Sequence, residues 1–358
     1  MLDVAIIGGG IAGLTAATAL RRAGHSVTIY EKSALNNEIG AAINVQTNAS
    51  RPLLALGMDP ARARFVAAKG SRRVRGDTLE SVHELNLGAI GEKYGSPWYF
   101  AHRVDLHQEL KRMATADDGG PPVAFRLRSE VTSYDPERAR FGLRDGAVVS
   151  ADLVIVADGI HSGGVEAILG SPNPAFPAAQ DNFCYRFLIP MEDVLADPTT
   201  AELFDGASGG TGTTQSTSLF LWNASPTFTP VCYRFSDQGQ GGAQAIEDGV
   251  ALGVCLSNVT SGAEVPERLE VFERIRRNRA SAVTIFSNAA QDEAEKIREA
   301  ASEFVPVDRI PTNPEGFYDF HFDYDIVEDS TNHMRKLHPE FRLPDSFLRR
   351  EVSKLAVS

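Results

Sequence analysis

The chain has 358 residues, 43% of them hydrophobic, and a formal net charge of −12, which is enough apolar material for a large core and about two domains. The acidic balance argues against a nucleic-acid surface, because the basic pairs Arg72-Arg73, Arg276-Arg277 and Arg349-Arg350 are short, dispersed and readable as solvated helix faces. Cys184, Cys232 and Cys255 show no CxxC spacing, and no run approaches the ~18 apolar residues of a membrane span, so a disulfide framework, a metal site and a membrane span are not expected and a cytoplasmic location is.

Residues 4–7 (VAII) form an apolar run short enough for a buried strand, and it stops at Gly8-Gly9-Gly10. A helix is predicted over 11–23, rich in small residues, followed by a second strand over 27–30 that ends on Glu31, eighteen residues past Gly13. Each glycine has a mechanical reason. Gly8 permits the sharp turn, Gly10 lets backbone N–H groups approach a pyrophosphate, and Gly13 lets the helix lie close on the sheet. The helix N-terminus then offers unpaired N–H groups and partial positive charge to phosphates. Glu31 is suited to ribose hydroxyls and would repel a 2′-phosphate, so FAD or NAD is favoured over NADP at this site. Ile11 and Ala12 in the first helical turn, and Lys32 beside the acid, complete this candidate binding set.

Further along, a small-residue loop over 37–46 leads to a helix over 48–56 with Asn48 as its N-cap and Gly57 as its stop. Alternating patches over 73–75 and 82–87 predict strands, and a helical stripe Leu106, Leu110, Met113 follows. Strands are expected over 123–127, 130–134 and 141–143. The continuously apolar run 153–156 reads as a buried parallel strand that delivers a second acid in Ala157-Asp158-Gly159. Strands are also predicted over 183–189, 218–221 and 230–235, with 209–214 as flexible glycine-rich filler. Gly241 and Gly242 open a helix to about residue 256, and a longer helix from 265 carries the stripe Leu269, Phe272, Ile275, Val283, Phe286. The tail from Pro306 shows no pattern that translates into chemistry.

Three stretches together resemble the flavin-dependent aromatic hydroxylases of the salicylate hydroxylase type, a branch of the group A flavoprotein monooxygenases: GGGIAGLTAATALRRAGHSVTIYEK, HRVDLH over 102–107, and ADGIHS over 157–162. NEIGAAINVQTNASR and GQGGAQAIEDG add two more. The resemblance implies an α/β fold with a Rossmann-like FAD-binding domain over 1–70, 98–170 and 236–300. A smaller, shortened antiparallel β-sheet substrate domain over 71–97 and 171–235 would interleave with it, and a C-terminal extension with helices would cover 301–358. It implies FAD as cofactor, NAD(P)H as co-substrate, and transfer of one oxygen from O₂ to an aromatic or phenolic small molecule through a flavin C4a-hydroperoxide. In such enzymes the cofactor carries the hard chemistry and the protein supplies position, charge and water exclusion. By the same resemblance Arg103 lies beside the flavin, Asp158 touches FAD and NAD(P)H, Ala42 and Asn44 run past the ribityl chain, and the N–H groups of Gly241 and Gly242 face the flavin or its phosphates. Tyr185 and Arg186 are the candidates for orienting an anionic aromatic.

One departure stands out. The family's third motif, a strand ending in Gly-Asp before Ala-Ala-His-Pro, is absent, and VCYRFSD over 231–237 stands where it should precede GQGGAQAIEDG. The segment between Ser162 and Gln238 is also short for the family, leaving Asp237 as the nearest substitute. Either the sequence is an incomplete product or it is a diverged member, a vestigial flavoprotein that keeps the scaffold without hydroxylation. An NAD-dependent dehydrogenase using only the first βαβ unit is a further alternative, but it leaves HRVDLH and ADGIHS unexplained.

Overall fold

A computed structural model describes residues 1–34, 42–75, 81–118, 120–160, 162–171, 186–199, 201, 209–213, 218–222, 228–233, 239–288 and 294–349. At its centre is a four-stranded parallel sheet in the order Leu153–Val156, Asp3–Ile7, Ser26–Glu31, Ala124–Leu127. The apolar runs make central strands because both faces are covered. Register matters more than order here. Ile7 pairs with Val156 on one side and Tyr30 on the other, so Gly8, Glu31 and Ala157-Asp158 emerge together at one edge, where open α/β sheets bind their ligands.

One face of the sheet is covered by the helices Ile11–Arg22 and Gly241–Leu256, whose contact is set by small residues. A Cβ on Gly249 would fall 2.6 Å from the Ala16 nitrogen, and one on Gly253 2.4 Å from Ala19 Cβ. The other face is covered by an antiparallel sheet, Val148–Ser150, Arg140–Leu143 and Val131–Asp135. Its Phe141 packs edge-on against Tyr30 at 4.9 Å.

A second sheet of three strands, Ala42–Val45, Tyr99–His102 and Val66–Ala67, stands beside a six-stranded sheet. The latter runs in the order Arg186–Pro190, Phe228–Tyr233, Ser218–Trp222, Gly209–Thr213, Ser71–Arg75, Ser81–Leu85. Gly209–Thr213, expected to be filler, is a strand paired antiparallel with Ser218–Trp222 and parallel with Ser71–Arg75. Its hydrogen bonds come from Ser218–Trp222, close in sequence, on one side and from Ser71–Arg75, far away in sequence, on the other, and this pairing overrides a composition poor in strand formers. That one parallel pair also makes the sheet mixed rather than antiparallel throughout.

Two local expectations are corrected. Asn48 is not a cap: the helix Thr47–Ala55 starts after Gln46, and Asn48, fully buried, directs its amide into the core. Arg276 is not on a solvated face but 3% exposed and paired to Glu247. The tail that carried no legible pattern folds as the helices Pro314–Phe322 and Ile326–Leu337, capped by Asn313 and Asp325 through their side-chain oxygens. Phe317 and Phe320 pack on Phe286 at 5.3 and 5.1 Å. Cys255 is buried and unpaired, its thiol pushed up to about 12 by burial. Among the described residues no helix is long and apolar enough to cross a membrane.

Candidate functional site

The glycine turn is built as its spacing predicts. Gly8 has φ +105°, and a Cβ there would lie 2.3 Å from the Ala157 carbonyl oxygen; one on Gly13 would lie 2.0 Å from the Gly8 oxygen. Both are backbone atoms, so neither site takes a larger residue without the turn moving. Gly10 is different, because nothing lies within 4 Å of the position its Cβ would occupy. The helix behind it begins without a side-chain cap and without an acid in its first turn, so the first amides, including those of Ile11, Ala12 and Gly13, carry the helix's partial positive charge. This open, uncapped turn suits a pyrophosphate.

Glu31 points at the turn. Its Oε2 accepts from Gly9 N at 2.7 Å and its Oε1 from Ser33 N at 2.7 Å. Burial alone would push this carboxyl up, but the two backbone donors, with the Ser33 side chain and Lys32, outweigh it and hold the group below the ordinary carboxylate value. Lys32 beside it is exposed. Across the sheet, Asp158 Oδ2 accepts from Tyr134 Oη at 3.1 Å and from Gly163 N at 3.0 Å. Asp158 Oδ1 is buried and has no hydrogen-bond partner among the described residues. An orphaned acceptor of this kind calls for a donor from a bound group or water. The adjacent Tyr134 phenol is pushed well up, by burial first and by Asp158 second. Gly164 has a local reason: a Cβ there would meet Val156 Cγ1 at 2.6 Å.

The sequence did not single out His107, the last residue of HRVDLH. Buried at 3% exposure, it places Nε2 2.6 Å from the Gly9 carbonyl oxygen, so Nε2 carries the proton. It thereby ties the helix Arg103–Thr115 to the glycine turn. Arg103, half-buried, is that helix's first residue. Ala42 pairs in register with His102, the residue before it. Gly242 lies above the same strand, since a Cβ there would sit 2.9 Å from Ile43 Cδ1, whereas Gly241 faces open space. Ala42, Arg103, Gly241 and Gly242 therefore belong to one neighbourhood, joined to the glycine turn through His107. Asn44 there accepts from Trp98 Nε1 at 3.1 Å, and the Trp98 ring packs on Phe322 of the tail at 5.3 Å.

Arg186 opens the strand Arg186–Pro190, its backbone in register with Cys232. Tyr185, Asp237 and His161 lie outside the described residues. Among the described residues no group of three His, Cys, Asp or Glu is arranged to hold a metal ion.

A parallel sheet with a glycine turn, an uncapped helix and an acid at the end of the second strand defines the dinucleotide-binding α/β class. A family profile described as Pyridine nucleotide-disulphide oxidoreductase matches residues 2–173. Across nearly the whole chain, the sequence is 33% identical over 429 residues to the FAD-dependent monooxygenase cfoG of Aspergillus candidus, covering 98% of this chain and 99% of that protein. The chain belongs to the FAD-dependent monooxygenases. A 3-amino-4-hydroxybenzoate 2-monooxygenase of Streptomyces platensis is 37% identical over 164 residues, 44% of this chain and 40% of that one. In fold, the chain is similar to CtdE, solved in complex with FAD and substrate 4, with TM-score 0.69 at 18% identity over 95% of this chain and 99% of that one. The cfoG alignment, 429 residues long against a chain of 358, also includes sequence in that relative that this chain lacks.

Proposed function

We propose that this monooxygenase takes electrons from NAD(P)H and inserts one oxygen atom of O₂ into an aromatic or phenolic small molecule. The observation that carries the reading is the meeting of Gly8, Glu31 and Asp158 at one sheet edge, with the Arg103 helix one His107 bridge away and the Gly241 helix start above the strand paired to His102. The residues fit FAD: an open glycine turn for the pyrophosphate, a depressed carboxylate for ribose hydroxyls, an orphaned Asp158 oxygen, and a helix start facing open space. When bound, FAD supplies the electron and oxygen transfer.

The chain's own residues then have separable tasks. The amides of Ile11, Ala12 and Gly13 hold phosphate oxygens, and Lys32 adds positive charge beside them. Glu31 orients the ribose. Ala42 passes the cofactor closely because its side chain is small. The Gly241 and Gly242 amides and the Arg103 guanidinium offset negative charge that builds up when the ring system is reduced. Tyr185 and Arg186 orient the aromatic substrate by hydrogen bonding and charge. The domain boundaries follow from the same reading, with the six-stranded sheet as the substrate side.

The test is the visible spectrum of the purified protein before and after adding FAD, followed by NAD(P)H oxidation with and without phenolic acids. Flavin absorbance with aromatic-stimulated oxidation and one oxygen added to the product is expected. Bound NAD without flavin overturns the reading. A second reading has its own observation, the missing Gly-Asp motif together with the longer relative: FAD binds and is not reduced by NAD(P)H, which marks a scaffold that has lost hydroxylation.

A further inference from the structure

Behind the Gly241 helix start lies a buried polar chain that the proposed chemistry does not use. Glu247, at 0% exposure, accepts four hydrogen bonds. They come from Asn48 Nδ2 at 2.7 Å, Arg276 Nη1 at 2.6 Å, Arg279 Nε at 2.7 Å and Arg279 Nη2 at 2.8 Å. The same Asn48 amide donates to Gln240 Oε1 at 3.0 Å, and the Gln240 amide donates in turn to Gln46 Oε1. Arg276 also reaches Gln244 Oε1 and Asp248 Oδ1, each at 2.7 Å.

Gln46 and Gln240 are the residues immediately before the helices Thr47–Ala55 and Gly241–Leu256, and neither side chain caps its own helix. Both are nearly fully buried, at 4% and 2% exposure. Instead of capping, they bind one another. The position of Gly241 and Gly242 is thus fixed by a relay that ends on one carboxylate, not by a local cap. A Cβ on Gly239, two residues ahead of Gly241, would lie 3.7 Å from Asn44 Nδ2 and from Gln46 Nε2, so the chain entering the Gly241 helix runs close alongside the end of the strand Ala42–Val45.

We propose that Glu247 is a positioning residue for the flavin: through Asn48 and Gln240 it sets where the first amides of the Gly241 helix stand, and thereby the affinity and reduction potential of the bound ring. A buried carboxylate with four donors is rigid, because each bond has no water to exchange with. Its rigidity passes along Asn48 to both helix starts. The inference rests on the FAD reading of the preceding section.

The experiment uses the full chain stripped of flavin, with FAD added back and followed by fluorescence quenching, the apoprotein melting temperature, and the midpoint potential of the bound flavin. Gln240→Leu cuts the relay without touching the charges, and Glu247→Gln removes the anion. Phe286→Leu, in the C-terminal aromatic cluster, serves as a packing control. Gln240→Leu is expected to weaken FAD about fivefold to tenfold, roughly the worth of one hydrogen bond, and to shift the potential. Glu247→Gln moves both in the same direction, and Phe286→Leu lowers the melting temperature while leaving both unchanged. Equal affinity and potential in the parent and in Gln240→Leu overturn the inference. So does an equal loss in Phe286→Leu, which would mean general loosening. If the parent itself binds no FAD, the site reading fails instead, a distinct result.

Discussion

Glu31 and Glu247 are both carboxylates drawn away from bulk water, and they are held in opposite ways. Glu31 is half-buried and kept ionised by two backbone donors, Gly9 N and Ser33 N, that belong to its own βαβ unit. Glu247 is fully buried and kept ionised by side chains from elsewhere in the chain, Asn48, Arg276 and Arg279. Backbone donors cost nothing to place once strand and turn exist, and they leave room for a ligand hydroxyl to join. Side-chain donors saturate the carboxylate and lock three helices together. The first arrangement suits recognition and the second suits rigidity, which is why one acid sits at the proposed cofactor site and the other behind it.

The strongest way to break this contrast is Glu247→Ala. Removing the anion leaves the buried Arg279 guanidinium without the carboxylate it is paired to and Arg276 with Asp248 alone, and a loss of about 3–5 kcal/mol in unfolding free energy is expected, read by urea denaturation. A loss no larger than that of a surface substitution would mean the cluster is not the keystone. The same carboxylate predicts a pH dependence. Burial pushes it up, but Arg279, Arg276 and Asn48 outweigh burial and bring it down to about 2 from an ordinary 4.5. A group with a depressed folded-state value stabilises fully above its unfolded value and loses that contribution as pH falls through the folded one. Stability should therefore fall from near pH 4.5 toward about 2, more steeply in the parent than in Glu247→Gln, as thermal melts across that range will read.

At the recognition end, Gly13→Ala places a methyl 2.0 Å from the Gly8 oxygen. Overpacking against backbone there should cost about 1–3 kcal/mol and displace the turn, so melting temperature and FAD affinity are expected to fall together. Glu31→Gln is the mildest change. It keeps the shape and removes the charge from the proposed hydrogen bond to ribose, so FAD affinity should drop about tenfold with the fold intact, measured by flavin fluorescence titration. If Glu31→Gln unfolds the protein while Glu247→Gln leaves it unmoved, the two roles are reversed.

The glycine turn, Glu31, the apolar strand before Asp158 and the start of the Gly241 helix were all legible, because each is a local pattern whose chemistry depends on neighbours within about one βαβ unit. Position failed as a guide where partners were remote. Arg276 looked like part of a solvated basic pair until Glu247 was found opposite it, and Asn48 looked like a cap until its amide was found bridging Gln240 and Glu247. His107 gave no signal beyond its place in a motif. The strand Gly209–Thr213 had a loop's composition.

The amino-acid order alone determined that a dinucleotide-type turn would form and which acid would face it, since the turn's conformational demands and the period of the apolar runs act over a few residues. Only the folded chain decided which buried charges meet, how the tail's aromatic rings pack on Phe286 and Trp98, and which side chains fix the Gly241 helix. Pairing across hundreds of residues is set by the shared exclusion of water from a common core, and that exclusion has no period to read in advance.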